Sequence, residues 1–367
     1  MKKYTLESYE EQLNHQVIHM DQAVCYCPEY LASRKMHDYP SRKLQLARAV
    51  WKEELPLTDY IGEIVYSGIM SRLGERWQNF RENPEDCTDV IFLCRAMLAE
   101  KGYKAKCRKD LEKRIKQYGG HAAPAPAWDL PVDPAGNTAI LLDDAAAAGY
   151  AGSAEKFELY CKEKGLAFAN EAEPVFLGFE YFACGMIKEG TKQLKAAVKK
   201  MEETGADQVM VLTAQAAWML RTMTGKLGIE PRFKIRYLAE ELEELKADRP
   251  AYVYGGSFNL RYLCNADTLN ALMKNNKEIP DKCAAEFIPL VHGDIRVNKL
   301  TIWQRPVGPE YLCFGTDEEI LTKIADTAAI DIQKADSDLI VSFEPTAIRP
   351  LKELLPEKEV VSYLDLL

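Results

Sequence analysis

The sequence has little of what marks several classes of protein. Lys and Arg total 47 against 56 Asp and Glu, which gives a formal net charge of −9, so a basic surface for nucleic acid is not expected. No run approaches the ~18 to 20 apolar residues that cross a bilayer. A secretory signal has an apolar core after its positively charged start, and the opening MKKYTLESYEEQ has no such core after its lysines. We therefore expect a cytoplasmic protein without a membrane span or a nucleic-acid partner.

Short ligand motifs are also missing. The chain has ten cysteines but no C-x-x-C, and only Cys25 and Cys27 lie close together. Without an export signal, disulfides are not expected, and isolated cysteines such as Cys184 are most simply interpreted as buried apolar side chains. The segment GYAGSAEKF (149–157) lacks the G-x-G-x-x-G pattern, so a dinucleotide site has little support.

The first third of the chain has helical periodicity. A length of 367 residues suggests two or three domains. Apolar residues recur at helical spacing in four segments, 40–54, 59–77, 87–103 and 107–120. The segment HAAPAPAWDLPVDPAGN (121–137) then carries four prolines, which favour an extended connector. We predict a helical domain over 1–118 and a Pro-rich linker over 119–137.

From Asn137 onward, short apolar runs alternate with helical patterns. NTAILLDD, LAFAN and QVMVLT are predicted strands separated by helices, which indicates parallel βαβ units. The pattern then repeats, because 203–221 is similar to 334–352, with Leu212 matching Ser342 at a spacing of 130, and TAILLDD is similar to PAYVYGG. The predicted fold class is α/β, with tandem units over 138–248 and 249–367.

This order of domains carries a family resemblance. Cys27-Pro28 followed by PSRKLQLARA, a glycine at 178 and at 308, and Glu344-Pro345-Thr346-Ala347 resemble the iron–sulfur subunits that join a two-cluster ferredoxin-like helical domain to two cysteine-rich "Cys-Cys-Gly" domains. That family includes the catalytic subunit of heterodisulfide reductase, the iron–sulfur subunit of glycolate oxidase, a lactate-utilisation protein and an iron–sulfur subunit of anaerobic glycerol-3-phosphate dehydrogenase. The likeness extends over nearly the whole chain.

The family's cluster ligands are almost entirely replaced. In the α/β domains of the family, cysteines follow the first strand, form a Cys-Cys-Gly turn and end in Cys-Pro-x-Cys. The resemblance places these positions on Ala145, Phe176, Leu177, Gly178, Ala214 and Ala217 in the first unit, and on Ser257, Pro306, Val307, Gly308, Glu344 and Ala347 in the second. We call these twelve residues the ligand-equivalent positions.

The helical domain has lost its ligands in the same way. Counting back from Cys27 by the family spacing reaches Ala23, Met20 and Val17, and the second motif falls on Gly68, Ser71, Gly74 and Gln78. A cubane cluster needs about four thiolates, which alanine, leucine, valine and proline do not supply. We therefore expect no cofactor, with the former pockets filled by side chains.

One group of metal-ligand residue types remains. His15 and His19 share one face of a helix, and with Cys25 and Cys27 they have the Cys2His2 composition of a zinc site. However, the C-x-C spacing departs from that of zinc sites. The alternative is a surface histidine pair beside partly buried thiols.

Charged residues flank the former cluster of the second unit. Arg305 and Glu344 are expected near it, with Ser257, Arg261 and His292 close by. One interpretation is an anion pocket in which arginine binds a carboxylate or phosphate. The other is a plug in which Arg305 pairs with a buried Glu344.

Three functions follow from these observations. The first is a cluster-free paralogue of an iron–sulfur oxidoreductase subunit, not catalytic on its own, with a structural or regulatory role among the protein subunits of a redox complex or in self-association. The second is an iron–sulfur electron-transfer subunit of a heterodisulfide-reductase-like or 2-hydroxy-acid dehydrogenase complex. The third is a small-anion binding protein.

Overall fold

The structure, a computed structural model, has a mixed α/β architecture with two small parallel sheets. It describes residues 2–19, 27–72, 87–120, 122–274, 277–278, 304–307 and 318–367. Each sheet has four strands, in the order β2-β1-β3-β4 and β6-β5-β7-β8. The α/β class predicted from the alternating pattern is confirmed at this level.

Helices precede the sheets along the chain. The longer ones are α1 (Glu10–His19), α2 (Pro28–Ser33), α3 (Pro40–Trp51), α4 (Asp59–Tyr66), α5 (Cys87–Glu100) and α6 (Lys106–Tyr118). Their apolar faces form a shared core that includes Leu13, Leu44 and Leu98. The helix predicted over 59–77 is too long, since α4 ends at Tyr66. The Arg95 guanidinium donates hydrogen bonds to the carbonyls of Tyr66 and Gly68. These carbonyls therefore do not accept the backbone hydrogen bonds that would continue the helix.

The Pro-rich segment is extended but packed. Trp128 and Leu130 are buried, and the Trp128 amide donates to the Ala172 carbonyl at 3.1 Å. A second bridge joins Val132 to Phe168. The segment therefore lies along the first sheet unit and contributes to its core.

The first sheet contains β1 (Thr138–Asp143), β2 (Pro174–Val175), β3 (Gln208–Val211) and β4 (Lys234–Tyr237), all parallel. Its helices are α7 (Asp144–Gly149), α8 (Ala154–Lys164), α9 (Phe179–Ala183), α10 (Ile187–Glu202), α11 (Ala214–Trp218), α12 (Thr224–Lys226) and α13 (Leu238–Glu241). The strand predicted at LAFAN (166–170) is wrong. The Asn170 side chain bonds both the amide and the carbonyl of Ile140, at 2.9 and 3.0 Å, and so occupies groups that a strand there would use.

The second sheet contains β5 (Ala251–Tyr254), β6 (Lys277–Glu278), β7 (Leu339–Ser342) and β8 (Glu359–Ser362), again all parallel. Its helices are α14 (Ala266–Leu272), α15 (Glu318–Gln333) and α16 (Ile348–Leu354). The repeat spacing of 130 predicted for Leu212 and Ser342 is wrong by one residue. The Asp207 carbonyl accepts from the first residue of β4 and the Asp338 carbonyl accepts from the first residue of β8, so Val211 is the residue that matches Ser342.

The two units pack through the carboxyl ends of their sheets. Helix α7, after β1, contacts the 3-10 turn Pro345–Ala347, after β7, and α11, after β3, contacts the π turn Phe258–Tyr262, after β5. In each contact, a segment after the first strand of one unit meets a segment after the third strand of the other, so the arrangement is reciprocal. Any side chain at Gly149 would overlap the Pro345 carbonyl, which explains glycine there. Within the described residues, no helix is long and apolar enough to cross a membrane.

Candidate functional site

A buried polar cluster lies where the two units meet. It consists of Asp143, Tyr150, Thr213, Tyr237, Asn259, Glu344 and Tyr363, which we call the inter-unit cluster. All seven side chains are at most 4% exposed. Five of them lie at the carboxyl end of a strand or within two residues after it, the position at which α/β proteins usually build their sites.

Asp143 is the central acid of the cluster in the first unit. Its Oδ1 accepts from the Ala146 amide at 3.0 Å and caps α7, while its Oδ2 accepts from the Thr213 hydroxyl at 2.6 Å. Thr213 in turn accepts from the Ala216 amide at 3.1 Å and caps α11. Burial raises the pKa of Asp143 to about 6, although both hydrogen bonds oppose the shift. A single carboxyl group therefore supports the start of two helices.

The second unit supplies its carboxylate from the opposite strand. Continued by two residues beyond Leu141–Val211 and Tyr254–Ser342, the sheet registers place Asp143 across from Thr213 and Gly256 across from Glu344. Gly256 has φ 73°, and a Cβ there would lie 2.6 Å from the Cβ of Glu344. Glu344 accepts from the Thr346 hydroxyl at 2.9 Å. The first unit thus carries its acid at the end of its first strand, whereas the second unit carries it after its third strand. Gly256 leaves the space that the Glu344 side chain occupies.

Three tyrosines fill the space between the acids. The Tyr363 hydroxyl donates to the Leu212 carbonyl at 2.8 Å, which ties the second unit to the first. The rings of Tyr150 and Tyr363 meet edge to face at 5.6 Å. The hydroxyls of Tyr150 and Tyr237 have no hydrogen-bond partner among the described residues, although Asn259 lies close enough to lower the pKa of Tyr237.

The tyrosines of the cluster stay protonated at neutral pH. Burial, followed by the neighbouring tyrosines and carboxyl groups, raises the pKa of Tyr150 well above its ordinary value. Burial is also the main reason why the pKa of Tyr237 and Tyr363 is raised. We interpret the cluster as a packed, hydrogen-bonded lock between the units.

The ligand-equivalent positions of the first unit lie beside the inter-unit cluster. They follow the carboxyl ends of β1, β2 and β3, which are neighbours in one sheet. Ala145, Ala214 and Ala217 are buried, as are Phe176 and Leu177. Gly178 starts α9 with φ 84°. None of these six residues carries a side-chain donor for iron, so they do not fit a cluster.

In the second unit the corresponding space holds an arginine. Arg261 is fully buried, and its guanidinium donates to the Ser257 hydroxyl, the Ser71 carbonyl and the Gln304 carbonyl. Ser71, which the resemblance places at a ligand position of the helical domain, is thereby joined to this unit. Because these groups occupy the guanidinium, Arg261 does not present it to an anion in the way the pocket hypothesis requires.

The other residues of the predicted pocket are placed only in part. The Arg305 carbonyl accepts from the Tyr254 hydroxyl at 3.1 Å, and its side chain is half-buried. Pro306, Val307 and Ala347 are buried, while His292 and Gly308 lie outside the described residues. The pairing of Arg305 with Glu344 stays a prediction.

The helical part contains a buried ionic cluster around Glu29, at the start of α2. The Cys27 thiol donates to Glu29 Oε2 at 3.2 Å, and Glu29 Oε1 accepts from the Ile69 amide at 2.9 Å. Lys43 Nζ lies 3.8 Å from Glu29 Oε1. Arg95 is fully buried and donates to backbone carbonyls at the end of α4 and just beyond it.

Arg95 is a single anchor for four backbone carbonyls. It donates to Val65, Tyr66, Gly68 and Ala183 at 3.2, 3.0, 2.8 and 2.6 Å. Ala183 ends α9, so the guanidinium also joins the helical part to the first sheet unit. Charged side chains and their hydrogen bonds therefore fill this region.

The predicted zinc site is incomplete among the described residues. Cys27 is buried, and burial followed by the Glu29 charge raises its pKa, while His15 lies on α1. The His19 side chain and Cys25 lie outside the described residues. Within the part of the chain that the structure describes, no three His, Cys, Asp or Glu side chains are grouped to hold a metal.

No family model matches the chain, and neither the curated proteins nor the solved structures include a significant match to it.

The sequence predictions included Glu344 but neither Asp143 nor the three tyrosines of the inter-unit cluster. Asp143, Tyr237 and Tyr363 each stand at the end of a strand or directly after it. A polar residue at a strand end indicates a candidate site, but the missing cysteines favoured Ala145 and Ala214 as the predicted positions. Tyr150 carries no comparable signal, because it lies beyond α7.

Proposed function

We propose that the chain is a cluster-free paralogue of an iron–sulfur oxidoreductase subunit, with a structural or regulatory role in a redox complex. The observation that carries this proposal is the content of the former cluster regions. They hold buried alanine, phenylalanine and leucine in the first unit, a hydrogen-bonded arginine in the second, and the Glu29–Lys43–Arg95 group in the helical part.

The side chains in these regions support a scaffold better than a catalyst. The inter-unit cluster joins the two units by the Tyr363–Leu212 hydrogen bond, and Arg261 and Arg95 join both units to the helical part. Arginines saturated by carbonyls hold elements in place at a cost in desolvation. In this proposal the side chains take over the cross-linking that clusters supply in the resembled family, and the outer surfaces remain for partner subunits.

The decisive experiment is elemental and optical analysis of protein purified without oxygen. The proposal expects neither iron nor acid-labile sulfide, and no absorbance near 400 nm. Several irons per chain with matching sulfide would overturn it in favour of an electron-transfer subunit. Reconstitution with ferrous iron and sulfide, followed by desalting, provides the control for a cluster lost during preparation.

The partner role is tested separately by size-exclusion chromatography with light scattering. A mass above one chain supports self-association. A monomer that specifically retains a flavin-containing protein from its own cells in a pull-down supports the complex. A monomer that binds no such subunit removes the support for a role in a complex but leaves the cluster-free state untouched.

A further inference from the structure

Two cysteines that are far apart in sequence meet in the structure. Cys107 is the second residue of α6, and Cys184 directly follows α9. Both contact a small apolar cluster that contains Leu111 and Met186. Helices α6 and α9 contact each other, which brings both cysteines to the same cluster.

The surroundings make the two thiols unequal. The hydrogen bond from Cys184 lowers the pKa of Cys107, and the charges of Arg95 and Arg108 act in the same direction against burial. Burial raises the pKa of Cys184. Cys107 also stands in the first turn of a thirteen-residue helix whose N-cap, Ala105, provides no side-chain hydrogen bond, and such an end favours a thiolate.

A cleft lies beside the chain neighbours of both cysteines. A cleft of about 460 Å³ is lined by Arg108 and Gly185, which are the chain neighbours of Cys107 and Cys184, and by Ala96 and Met186. Cys107 is half-buried, whereas Cys184 is fully buried. Of the two thiols, Cys107 is therefore the more accessible to a small polar oxidant.

We propose that Cys107 and Cys184 form a hydroperoxide-reactive dithiol site, in which Cys107 is oxidised first and Cys184 resolves it to a disulfide. The Cys107 thiolate attacks one peroxide oxygen, the O–O bond breaks, and the departing hydroxide takes a proton to leave as water. Cys107 is then a sulfenic acid. The Cys184 sulfur attacks the Cys107 sulfur, the S–O bond breaks, and a second water leaves, so one peroxide is reduced for each disulfide formed.

The first test uses the unmodified full-length protein and hydrogen peroxide. After brief exposure, free thiols are alkylated and a non-reducing digest is analysed by mass spectrometry. The expected product is one linked pair of peptides that carry Cys107 and Cys184, reversible by dithiothreitol. Exposure without formation of that pair would overturn the proposal.

Alkylation rates at pH 7.5 provide a second measure that needs no variant. Burial raises the pKa of Cys161 to about 12, so its thiolate fraction is at least about a thousandfold below that of Cys107. After discounting for the lower nucleophilicity of a less basic thiolate, Cys107 should react about thirtyfold faster than Cys161. Equal rates would contradict the assignment of Cys107 as the first thiol oxidised.

Three variants separate the roles. In Cys184→Ser the Cys107 sulfenic acid should persist and be trapped by a cyclic dione, whereas Cys107→Ser should leave Cys184 reduced. Cys161→Ser is the matched control and should form the same disulfide as the parent protein. Trapping at Cys184 in Cys107→Ser would reverse the proposed order and sink it.

Discussion

Replacing Asp143 by asparagine should change how stability depends on pH. Asp143 is fully buried, and its pKa rises from an ordinary 3.8 to about 6 in the folded protein. The folded state therefore binds a proton more tightly than the unfolded state does. A tenfold difference in proton affinity between the two states corresponds to about 1.4 kcal/mol. Asp143 should therefore lower the free energy of unfolding by about 3 kcal/mol once it is ionised.

The sign of the effect is fixed by the direction of the pKa shift. Below pH 4 the carboxyl group is protonated in both states and costs nothing. Between about pH 4 and pH 6 the unfolded chain releases the proton first, so stability falls as pH rises, and above pH 6 the cost is constant. The asparagine that replaces Asp143 has no such proton, and its side-chain oxygen can still accept from the Ala146 amide.

The assay is urea unfolding followed by tryptophan fluorescence from pH 4 to pH 8, with buried Trp128 and Trp218 as reporters. Relative to the parent protein, Asp143→Asn should gain about 3 kcal/mol over this range. Asp207→Asn, at an exposed position just before β3, is the control and should follow the parent curve.

Thr213→Val gives an independent check on the same carboxyl group. The Thr213 hydrogen bond lowers the pKa of Asp143, so its removal should move the stability loss to higher pH. A difference between Asp143→Asn and the parent protein that does not vary with pH would refute the reasoning.

Substitutions of Gly149, Arg95 and Arg305 test the packing by urea unfolding. Gly149→Ala should lose about 2 kcal/mol or more, because a Cβ there overlaps the Pro345 carbonyl, whereas Gly152→Ala meets nothing within 4 Å and should be unchanged or slightly more stable. Arg95→Met should lose about 4 kcal/mol or more, since four carbonyls lose their donor. If Arg305 pairs with Glu344, Arg305→Met should lower the free energy of unfolding by about 3 kcal/mol, and a double-mutant cycle with Glu344→Gln should show coupling. Zero coupling would contradict the pairing.

Local signals predicted much of the secondary structure. Helices α6 and α8 end at Gly119 and Gly165, both with left-handed φ, as expected where glycine follows a helical pattern. The strands at 138–143, 208–211 and 339–342 were visible as buried apolar runs. These features depend on neighbours in sequence, so the sequence alone carried them.

Features that depend on distant residues were not predictable in this way. The end of α4 is set by Arg95, and the loss of a strand at 166–170 is set by Asn170 bonding to Ile140. The meeting of Cys107 with Cys184 likewise requires α6 to pack on α9. No periodicity in the sequence encodes such contacts, because each is decided by tertiary packing.

The buried acids give an argument about clusters that does not depend on missing thiols. Asp143 lies two residues before ligand-equivalent Ala145, and Glu344 itself occupies such a position. A cubane held by thiolates carries net negative charge, so an ionised carboxylate beside it in a low-dielectric interior would be repelled. Buried acids at these places in both units therefore support the proposal that hydrogen-bonded side chains, and not iron, occupy these regions.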